Sequence, residues 1–344
     1  MSVANADAAR QRPESSGPTN GRAFARHGCR EGGRVRRSVL ATFLGAMTLF
    51  APSAADADPD ERPTAQVQNG GAVLDVFIAP GRLALSQAEV LGWISTAAEA
   101  VNHYYGRYPV PHVRIRIMPR AGENVISGTT YGYDGGALIR IILGEFATPA
   151  QLGHDWVMTH EMVHLALPQV GEDHHWLEEG IATYVEPIAR AQVGQLSAKT
   201  VWREAVRRLP QGLPGPEDHG LDVTHTWGRT YWGGALFCLL ADIQIRERTH
   251  NRYGLQDALR GVLAAGGNIE QDWSVARILQ IADKAVGVPV LTELHHQMGD
   301  KPVAIDLPAL WMRLGVEVHD DGVRFDNEAP LAAVRAAITG QPLR

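Results

Sequence analysis

Residues 157–168 read Val-Met-Thr-His-Glu-Met-Val-His-Leu-Ala-Leu-Pro, and the interpretation of the whole chain starts from this stretch. Side chains four positions apart in a helix lie on the same face, one turn apart, so the imidazoles of His160 and His164 can converge on one metal ion. Glu161 is rotated by about 100° around such a helix, where its carboxylate can lie beside the metal without binding it. The pattern predicts a metal-binding helix with an acid next to the metal.

Signals on both sides of this stretch predict where the helix begins and ends. Thr148 suits the N-cap, Pro149 suits the first helical position, and Gln151 is placed to complete a capping box. Pro168 cannot continue a helix, because its ring removes a backbone donor and clashes with the preceding turn. One helix is therefore predicted from Pro149 to about Leu167.

A third metal ligand is expected downstream, because a catalytic zinc ion takes three protein ligands and keeps one open position. Residues 176–182 read Trp-Leu-Glu-Glu-Gly-Ile-Ala, and Glu179 lies 15 positions after His164. This interval lets the chain stop at Pro168, turn, and return with an acidic side chain beside the two histidines. Glu178, one residue earlier, is the alternative ligand.

The two motifs resemble those of the gluzincins, zinc metallopeptidases whose clan includes the M1 aminopeptidases and thermolysin. The matching residues are His160, Glu161, His164, Trp176, Glu179, Gly180 and Ala182. The resemblance covers about residues 70–260 and implies a thermolysin-like catalytic domain. It also implies that His160, His164 and Glu179 bind one Zn²⁺ ion per chain, with Glu161 as the general base of peptide hydrolysis.

The resemblance extends to residues 231–236, which read Tyr-Trp-Gly-Gly-Ala-Leu. M1 aminopeptidases carry a similar Tyr-x-Lys-Gly-Ala element, which implies that Tyr231 donates a hydrogen bond to the oxyanion of the transition state. Gly233 replaces the lysine of that element here. Thermolysin-like relatives place an Asp four residues after the third ligand, where this chain has Thr183. Glu186 is a candidate substitute for that Asp. The alternative interpretation is that Glu186 is an acidic residue on the surface.

The residues before the metal motif predict a sheet. Strands are predicted at 74–78, 112–117 and 137–142, with a helix at 86–105 and a Gly-rich loop before the third strand. The strand at 137–142 resembles the edge strand along which gluzincins bind an extended peptide. Helices are predicted over most of the chain after Gly144, and after the metal motif they are expected near 175–192, 198–208, 228–249, 254–264, 273–286 and 289–297. A hairpin of Val316–Val318 and Val323–Phe325 follows.

These elements predict an α+β fold, a mixed sheet lobe followed by a mainly helical lobe with the zinc site in the cleft. The predicted divisions are an export signal and leader at 1–57, the sheet lobe at 58–146, the zinc-binding helical lobe at 147–300, and a hairpin with a helix at 301–344.

The first 57 residues are typical of an export signal. An arginine-rich segment precedes a short apolar run, Val39–Ala51, and small residues around Ala55 suit cleavage by signal peptidase. The run is too short for the about 20 residues that a membrane-spanning helix needs. Arg36 and Arg37 are typical of a twin-arginine signal, and a general secretory signal is the alternative. We predict a periplasmic or secreted protein with no membrane span in the mature chain.

Composition excludes several classes of protein. The formal net charge is −6 and, after subtracting the 8 basic and 4 acidic residues of the first 57, it becomes 24 − 34 = −10, which argues against nucleic acid as a partner. The two cysteines, Cys29 and Cys238, rule out a disulfide framework. His174 and His175 are interpreted as loop or capping residues. Four tryptophans near the motifs are interpreted as packing residues: Trp156, Trp176, Trp227 and Trp232. For Trp232, which is next to Tyr231, a place in the wall of the cleft is the alternative.

The sequence therefore predicts an exported zinc metallopeptidase that acts on a peptide or protein. Two alternatives remain open. A catalytically silent binding protein could keep the same fold, although such a protein has no need of Glu161. The same zinc chemistry could also cleave a non-peptide amide or ester.

Overall fold

A five-stranded mixed sheet opens the part of the chain that the computed structural model describes, which is residues 62–320 and 322–340. The strand order is β1-β2-β3-β5-β4, where β2, β3 and β5 are parallel, and β1 and β4 run antiparallel to their neighbours. The strands are β1 Ala65–Asn69, β2 Ala72–Ile78, β3 His112–Arg120, β4 Val125–Tyr133 and β5 Gly136–Gly144. The predicted export signal lies outside the described residues.

Helix α1, Gln87–Tyr105, connects the parallel strands β2 and β3. Ser86 and Glu89 form a capping box at its start, and Gly106 adopts a left-handed conformation with φ of 75° at its end. Its apolar side chains join those of the strands in one core, in which Ile94, Ile115 and Ile139 are fully buried. This core fixes the sheet beside the helices that carry the metal motif.

Strand β4 forms the sheet edge next to β5, as β1 forms the other edge, and this corrects the interpretation of the strand at 137–142 as an edge. That segment, β5, lies between β3 and β4. The Gly-rich loop expected before it is instead a nine-residue strand that pairs with β5 from Val125 to Tyr133. The β-branched and aromatic residues of this segment outweigh its glycines.

The single helix predicted from Pro149 to Leu167 is wrong, because two helices cover that segment. Helix α2 is Pro149–His154, with the predicted capping box of Thr148 and Gln151, and helix α3 is Val157–His164. Asp155 lies between them in an extended conformation, and its carboxylate accepts hydrogen bonds from the backbone of Val157 and Met158, both at 3.1 Å. An aspartate at this position starts a new helix with its own direction.

The rest of the described chain is mainly helical. The predicted helices at 175–192 and 198–208 are confirmed, and the hairpin is confirmed as β6 Val316–His319 paired with β7 Gly322–Phe325. The further helices are α4 His175–Gln192, α5 Ala198–Arg208, α6 Gly234–Arg248, α7 Leu255–Ala264, α8 Val275–Val286, α9 Val290–Met298, α10 Leu307–Leu314 and α11 Ala332–Ile338.

Residues from Arg62 onward group into one compact unit. The structure confirms a mixed sheet followed by helices, and the finer division into lobes at residues 146 and 300 stays a prediction. Across residues 62–320 and 322–340, no helix combines the length and apolar character that crossing a membrane requires.

Candidate metal centre

Helices α3 and α4 pack against each other and bring the two sequence motifs together. His160 and His164 lie on successive turns of α3, and Glu179 lies in the second turn of α4. Nε2 of His160 is 3.0 Å from Oε2 of Glu179, and Nε2 of His164 is 3.7 Å from the same oxygen. One ligand atom from each of the three side chains lies within 4.8 Å of the others. The three predicted ligands therefore meet at one point.

The donor atoms fit a zinc ion. Two imidazoles and a carboxylate are a ligand set that catalytic zinc sites use. His160 and Glu179 are only 4% and 8% exposed. Their imidazole and carboxylate groups are therefore withdrawn from water and face one another in the interior. Burial raises the pKa of Glu179, but the charge of His164 and hydrogen bonds from His160 and His175 outweigh it and hold that pKa below its ordinary value. An ionised, buried carboxylate beside two imidazoles is suited to a divalent cation.

Glu178, the alternative third ligand, is engaged elsewhere. Its Oε1 accepts a hydrogen bond from the backbone N–H of Val170 at 2.9 Å, and its Oε2 is 2.9 Å from Nδ1 of His175. Among the described residues, the cluster of possible metal ligands contains Glu179 and not Glu178. The geometry thus favours the ligand that the family resemblance implied.

Glu161 is on α3, and its side chain lies against the edge strand β4. The hydroxyl of Thr130 on β4 donates to Oε2 of Glu161 at 2.7 Å and lies 2.9 Å from the carbonyl oxygen of the same residue. Gly128, two residues earlier on β4, makes room for this contact, because a Cβ there would lie 2.5 Å from Cγ of Glu161. The edge strand therefore holds the carboxylate of the predicted base, a contact that nothing in the sequence motif indicates.

Tyr231 also reaches the cluster. It lies in a π-helical turn, Gly228–Gly233, directly before α6, and such turns are frequent at functional sites. Its ring stacks on that of His160 with centroids 6.3 Å apart. Burial, followed by the charges of Glu179 and Glu161, raises the pKa of Tyr231. The phenol therefore keeps its proton at neutral pH and can donate it in a hydrogen bond.

The interpretation of His175 as a loop or capping residue is incomplete. It begins α4, and its Nε2 is 3.2 Å from Oε1 of Glu179. Hydrogen bonds to Glu178 and then to Glu179 raise the pKa of His175 to about 10. The spacing of four residues on one helix was the signal that could have found this contact. His174 turns away from the cluster and lies 3.1 Å from Asp222.

Glu186 is not a surface acid. It is 7% exposed, and its Oε1 accepts a hydrogen bond from Nη1 of Arg190 at 2.7 Å. Burial raises the pKa of Glu186, with the charge of Arg190 opposing it. Its own charge is among those that raise the pKa of His160, where burial acts in the opposite direction. Nδ1 of His160 has no hydrogen-bond partner among the described residues, so Glu186 does not make the hydrogen bond expected of a substitute for the Asp of thermolysin-like relatives.

The four tryptophans near the motifs differ in exposure. Trp176 is 1% exposed, as a packing residue should be, and its indole N–H donates to Asp222 at 2.8 Å. Trp156 and Trp227 are 47% and 39% exposed, so the interpretation of these two as packing residues is wrong. Trp232 is partly buried against the core.

Comparison with known proteins gives similarity in structure only. No protein-family model matches the sequence, and no curated protein matches it. The solved structure of an aminopeptidase N family protein from Idiomarina loihiensis has a similar fold, with a TM-score of 0.55 and 12% identity over 77% of this chain and 52% of that one. This chain therefore spans about half the length of that protein.

Two further solved structures have lower scores. An M1 zinc metallopeptidase from Deinococcus radiodurans, bound to a Tyr-Ser-Ala substrate, matches with a TM-score of 0.47 and 15% identity over 72% of this chain and 53% of that one. Native yeast LTA4 hydrolase matches with a TM-score of 0.48 and 15% identity over 70% of this chain and 40% of that one. The likeness to the Idiomarina protein is one of fold alone, and it is consistent with the fold that the gluzincin resemblance implied.

Proposed function

We propose that this protein is a zinc-dependent hydrolase that cleaves peptide bonds. The observation that carries the proposal is the meeting of His160, His164 and Glu179 at one point, with Glu161 beside them. A zinc ion held by these three side chains would supply Lewis-acid chemistry, which polarises a carbonyl and makes water a nucleophile near neutral pH.

Glu161 is the general base of the proposed reaction. Its carboxylate takes a proton from the attacking water and passes it to the leaving amine. Thr130 holds Oε2, and we assign the proton transfer to Oε1. The hydroxyl of Thr130 on β4 fixes the carboxylate of Glu161 on α3. The base therefore needs little reorganisation when the substrate binds.

Tyr231 stabilises the charge that develops on the substrate. A hydrogen-bond donor aimed at the carbonyl oxygen lowers the energy of the transition state because the negative charge on that oxygen grows as water attacks. The raised pKa of Tyr231 keeps this donor protonated. Its stacking on His160 supports this role, because it puts Tyr231 beside the three proposed ligands, where the reacting carbonyl is expected.

A peptide is the substrate class that the sheet supports. Strand β4 is an edge strand, and an edge strand is the element to which an extended peptide can add as a further strand. Thr130 and Gly128 place this edge directly against Glu161. A peptide added to β4 would therefore run past the proposed base.

We also propose that the protein is exported to the periplasm or beyond, with residues 1–57 as the signal. This rests on the arginine-rich segment, the apolar run Val39–Ala51 and the small residues that follow it. Fractionation of cells that express the full chain would test it, with the mature form expected outside the cytoplasm.

The function is tested with purified chain starting at residue 58. We expect one zinc ion per chain and hydrolysis of casein or a peptide library that a chelator abolishes. The variant Glu161→Gln should keep zinc and lose activity by about 10²-fold or more, because a general base contributes that much. Glu172→Gln, an exposed acid ahead of α4, is the control and should keep full activity.

Each alternative has its own outcome in this experiment. Stoichiometric zinc without hydrolysis of any peptide would indicate a binding protein. Hydrolysis of ester or non-peptide amide substrates alone would keep the zinc chemistry and replace the substrate class. Full activity of Glu161→Gln would remove the proposed base.

A further inference from the structure

The exposed tryptophans of this chain are not scattered. Of eight tryptophans, five are less than 9% exposed and Trp232 is partly buried, which leaves Trp156 at 47% and Trp227 at 39%. Single exposed apolar side chains are normal on a protein surface, whereas several that lie around one site mark a surface where something else binds. Both exposed tryptophans contact the candidate active site.

A row of rings runs through the site. The ring of Trp156 meets that of His160 edge-on with centroids 5.2 Å apart, and His160 stacks on Tyr231 at 6.3 Å. Tyr231 stacks on Trp227 at 5.8 Å, and Trp227 meets Trp232 at 6.4 Å. We call Trp156, His160, Tyr231, Trp227 and Trp232 the aromatic row. Its exposed members stand one ring away from a proposed zinc ligand and from the proposed oxyanion donor.

A purely structural role does not account for the exposed members. Trp156 stands at the start of α3, but Asp155 supplies the side-chain hydrogen bonds there. Trp227 precedes the π-helical turn and leaves more than a third of its surface in water. A residue kept for packing would bury that surface, as Trp176 does in the adjacent core.

We propose that the aromatic row is a substrate-binding surface that selects peptides with an aromatic or large aliphatic side chain beside the bond to be cleaved. This rests on the proposed function and names its substrate class. Indole rings offer broad, flat apolar faces that lose little conformational entropy on binding, and aromatic partners stack on them at centroid distances like those within the row. Because the row passes through His160 and Tyr231, a side chain that stacks on it would bring its neighbouring peptide bond to the reacting groups.

The test compares peptides that differ at one position on either side of the cleaved bond, with Phe, Leu, Gly, Lys or Asp there. With zinc-loaded chain from residue 58, kcat/KM for Phe should exceed that for Gly by about tenfold or more at one of the two positions. Trp156→Ala or Trp227→Ala should lower this ratio at least about fivefold. Tyr253→Ala, which removes an exposed aromatic ring outside the row, should keep the wild-type ratio.

A binding measurement separates failure of this inference from failure of the proposed function. The same peptides are titrated into zinc-loaded Glu161→Gln while tryptophan fluorescence is followed, so no hydrolysis is needed. Tighter binding of Phe peptides than of Gly peptides, lost in Trp156→Ala or Trp227→Ala, supports the row even if no peptide is cleaved.

Three results would overturn the inference while leaving the hydrolase in place. The first is equal kcat/KM and equal affinity for Phe and Gly peptides. The second is a preference for Lys at both positions, which would indicate recognition of a cation by the rings. The third is quenching of tryptophan fluorescence by N-acetylglucosamine oligomers together with equal affinities for all the peptides. This result would indicate that the row binds sugars.

Discussion

At the scale of single residues, the hydrogen bond from Thr130 is the contact on which the orientation of Glu161, the proposed base, depends most. Its hydroxyl is 2.7 Å from Oε2 of Glu161, and it comes from the sheet, whereas Glu161 is on a helix. A hydrogen bond to a charged group that is lost in a buried site costs more than one lost at the surface. The orientation of Glu161 is therefore sensitive to this one hydroxyl.

We expect Thr130→Val to lower kcat by about 10-fold to 100-fold, since a hydrogen bond to a charged group contributes about 1.5–3 kcal/mol. Valine keeps the shape and removes only the hydroxyl. Zinc content, measured by atomic absorption, should stay at one per chain because Thr130 is not a ligand. Thr130→Ser restores the hydroxyl and should recover most of the rate. Equal rates for the valine and serine variants would show that the hydroxyl does not position the base.

The proposed metal ligands and their convergence could be predicted from the sequence, and the contact that holds the proposed base could not. His160, Glu161 and His164 are related by helix geometry, which is local, so their spacing alone indicates their arrangement. The contact of Thr130 with Glu161 depends on how β4 and α3 pack. Such packing is a property of the folded chain, and no spacing in the sequence encodes it.

At the scale of elements, the approach of α4 and α6 brings Glu179 and Tyr231 together. The two helices meet at Gly180 and Gly234, where a Cβ on Gly180 would overlap the backbone of Gly234. Gly180 follows the third proposed ligand directly, and Gly234 begins the helix after the turn that carries Tyr231. Two glycines in contact therefore set the separation between the ligand and the proposed oxyanion donor.

Gly180→Ala should force the two helices apart and lower the free energy of unfolding by about 1–3 kcal/mol, as overpacking does elsewhere. Zinc affinity should fall as well, because Glu179 moves with its neighbour. Urea denaturation and zinc titration measure the two effects. Gly92→Ala in α1 is the matched control: that glycine is exposed with open space around it, so alanine should raise stability by about 0.5–1 kcal/mol. Equal stability of both variants would contradict the close contact of α4 and α6.

Asp222 holds the start of α4 in place through contacts of its carboxylate. Its Oδ1 accepts from the indole N–H of Trp176 at 2.8 Å and lies 3.1 Å from His174, and its Oδ2 is 2.8 Å from Nε2 of His295 on α9. Burial raises the pKa of Asp222, but hydrogen bonds from His295 and Trp176 outweigh it and lower the pKa to about 2. The carboxylate thus links three segments and is ionised in the folded state.

Asp222→Asn should lower the free energy of unfolding at pH 7 by about 1–3 kcal/mol. The folded-state pKa lies below the unfolded value of about 3.9, so the stabilising effect of the carboxylate is complete above that value and is lost as the pH falls toward about 2. Urea unfolding of zinc-free wild type and variant at pH 7 and pH 3 measures this, and the difference should shrink at pH 3. A difference that grows on acidification would contradict the ionised, hydrogen-bonded state of Asp222.

Most elements could be predicted, and the exceptions have physical causes. The helices after residue 175 follow an apolar periodicity that is local and strong. Strand β4 was missed because its two glycines are typical of loops, although its pairing with β5 forms a regular strand. The break between α2 and α3 was missed because Asp155 can be a helix residue or a cap, and only the tertiary structure decides.

At the scale of the whole molecule, the fold places a sheet edge and two helices around the cluster of three proposed metal ligands. The edge strand β4 supplies Thr130, α3 supplies the histidines and Glu161, and α4 supplies Glu179. The sequence predicted this combination of a mixed sheet and helices, since a helix-rich segment after parallel strands must cover one of their faces. It did not predict which strand forms the edge, because strand order is set by long-range pairing.

The most direct test of the central claim is a crystal structure of the zinc-loaded protein, with anomalous diffraction recorded on both sides of the zinc edge. We predict one anomalous peak per chain at about 2.0–2.2 Å from Nε2 of His160, Nε2 of His164 and a carboxylate oxygen of Glu179. A peak at any other group of side chains, or a peak bound by Glu178 in place of Glu179, would contradict the account.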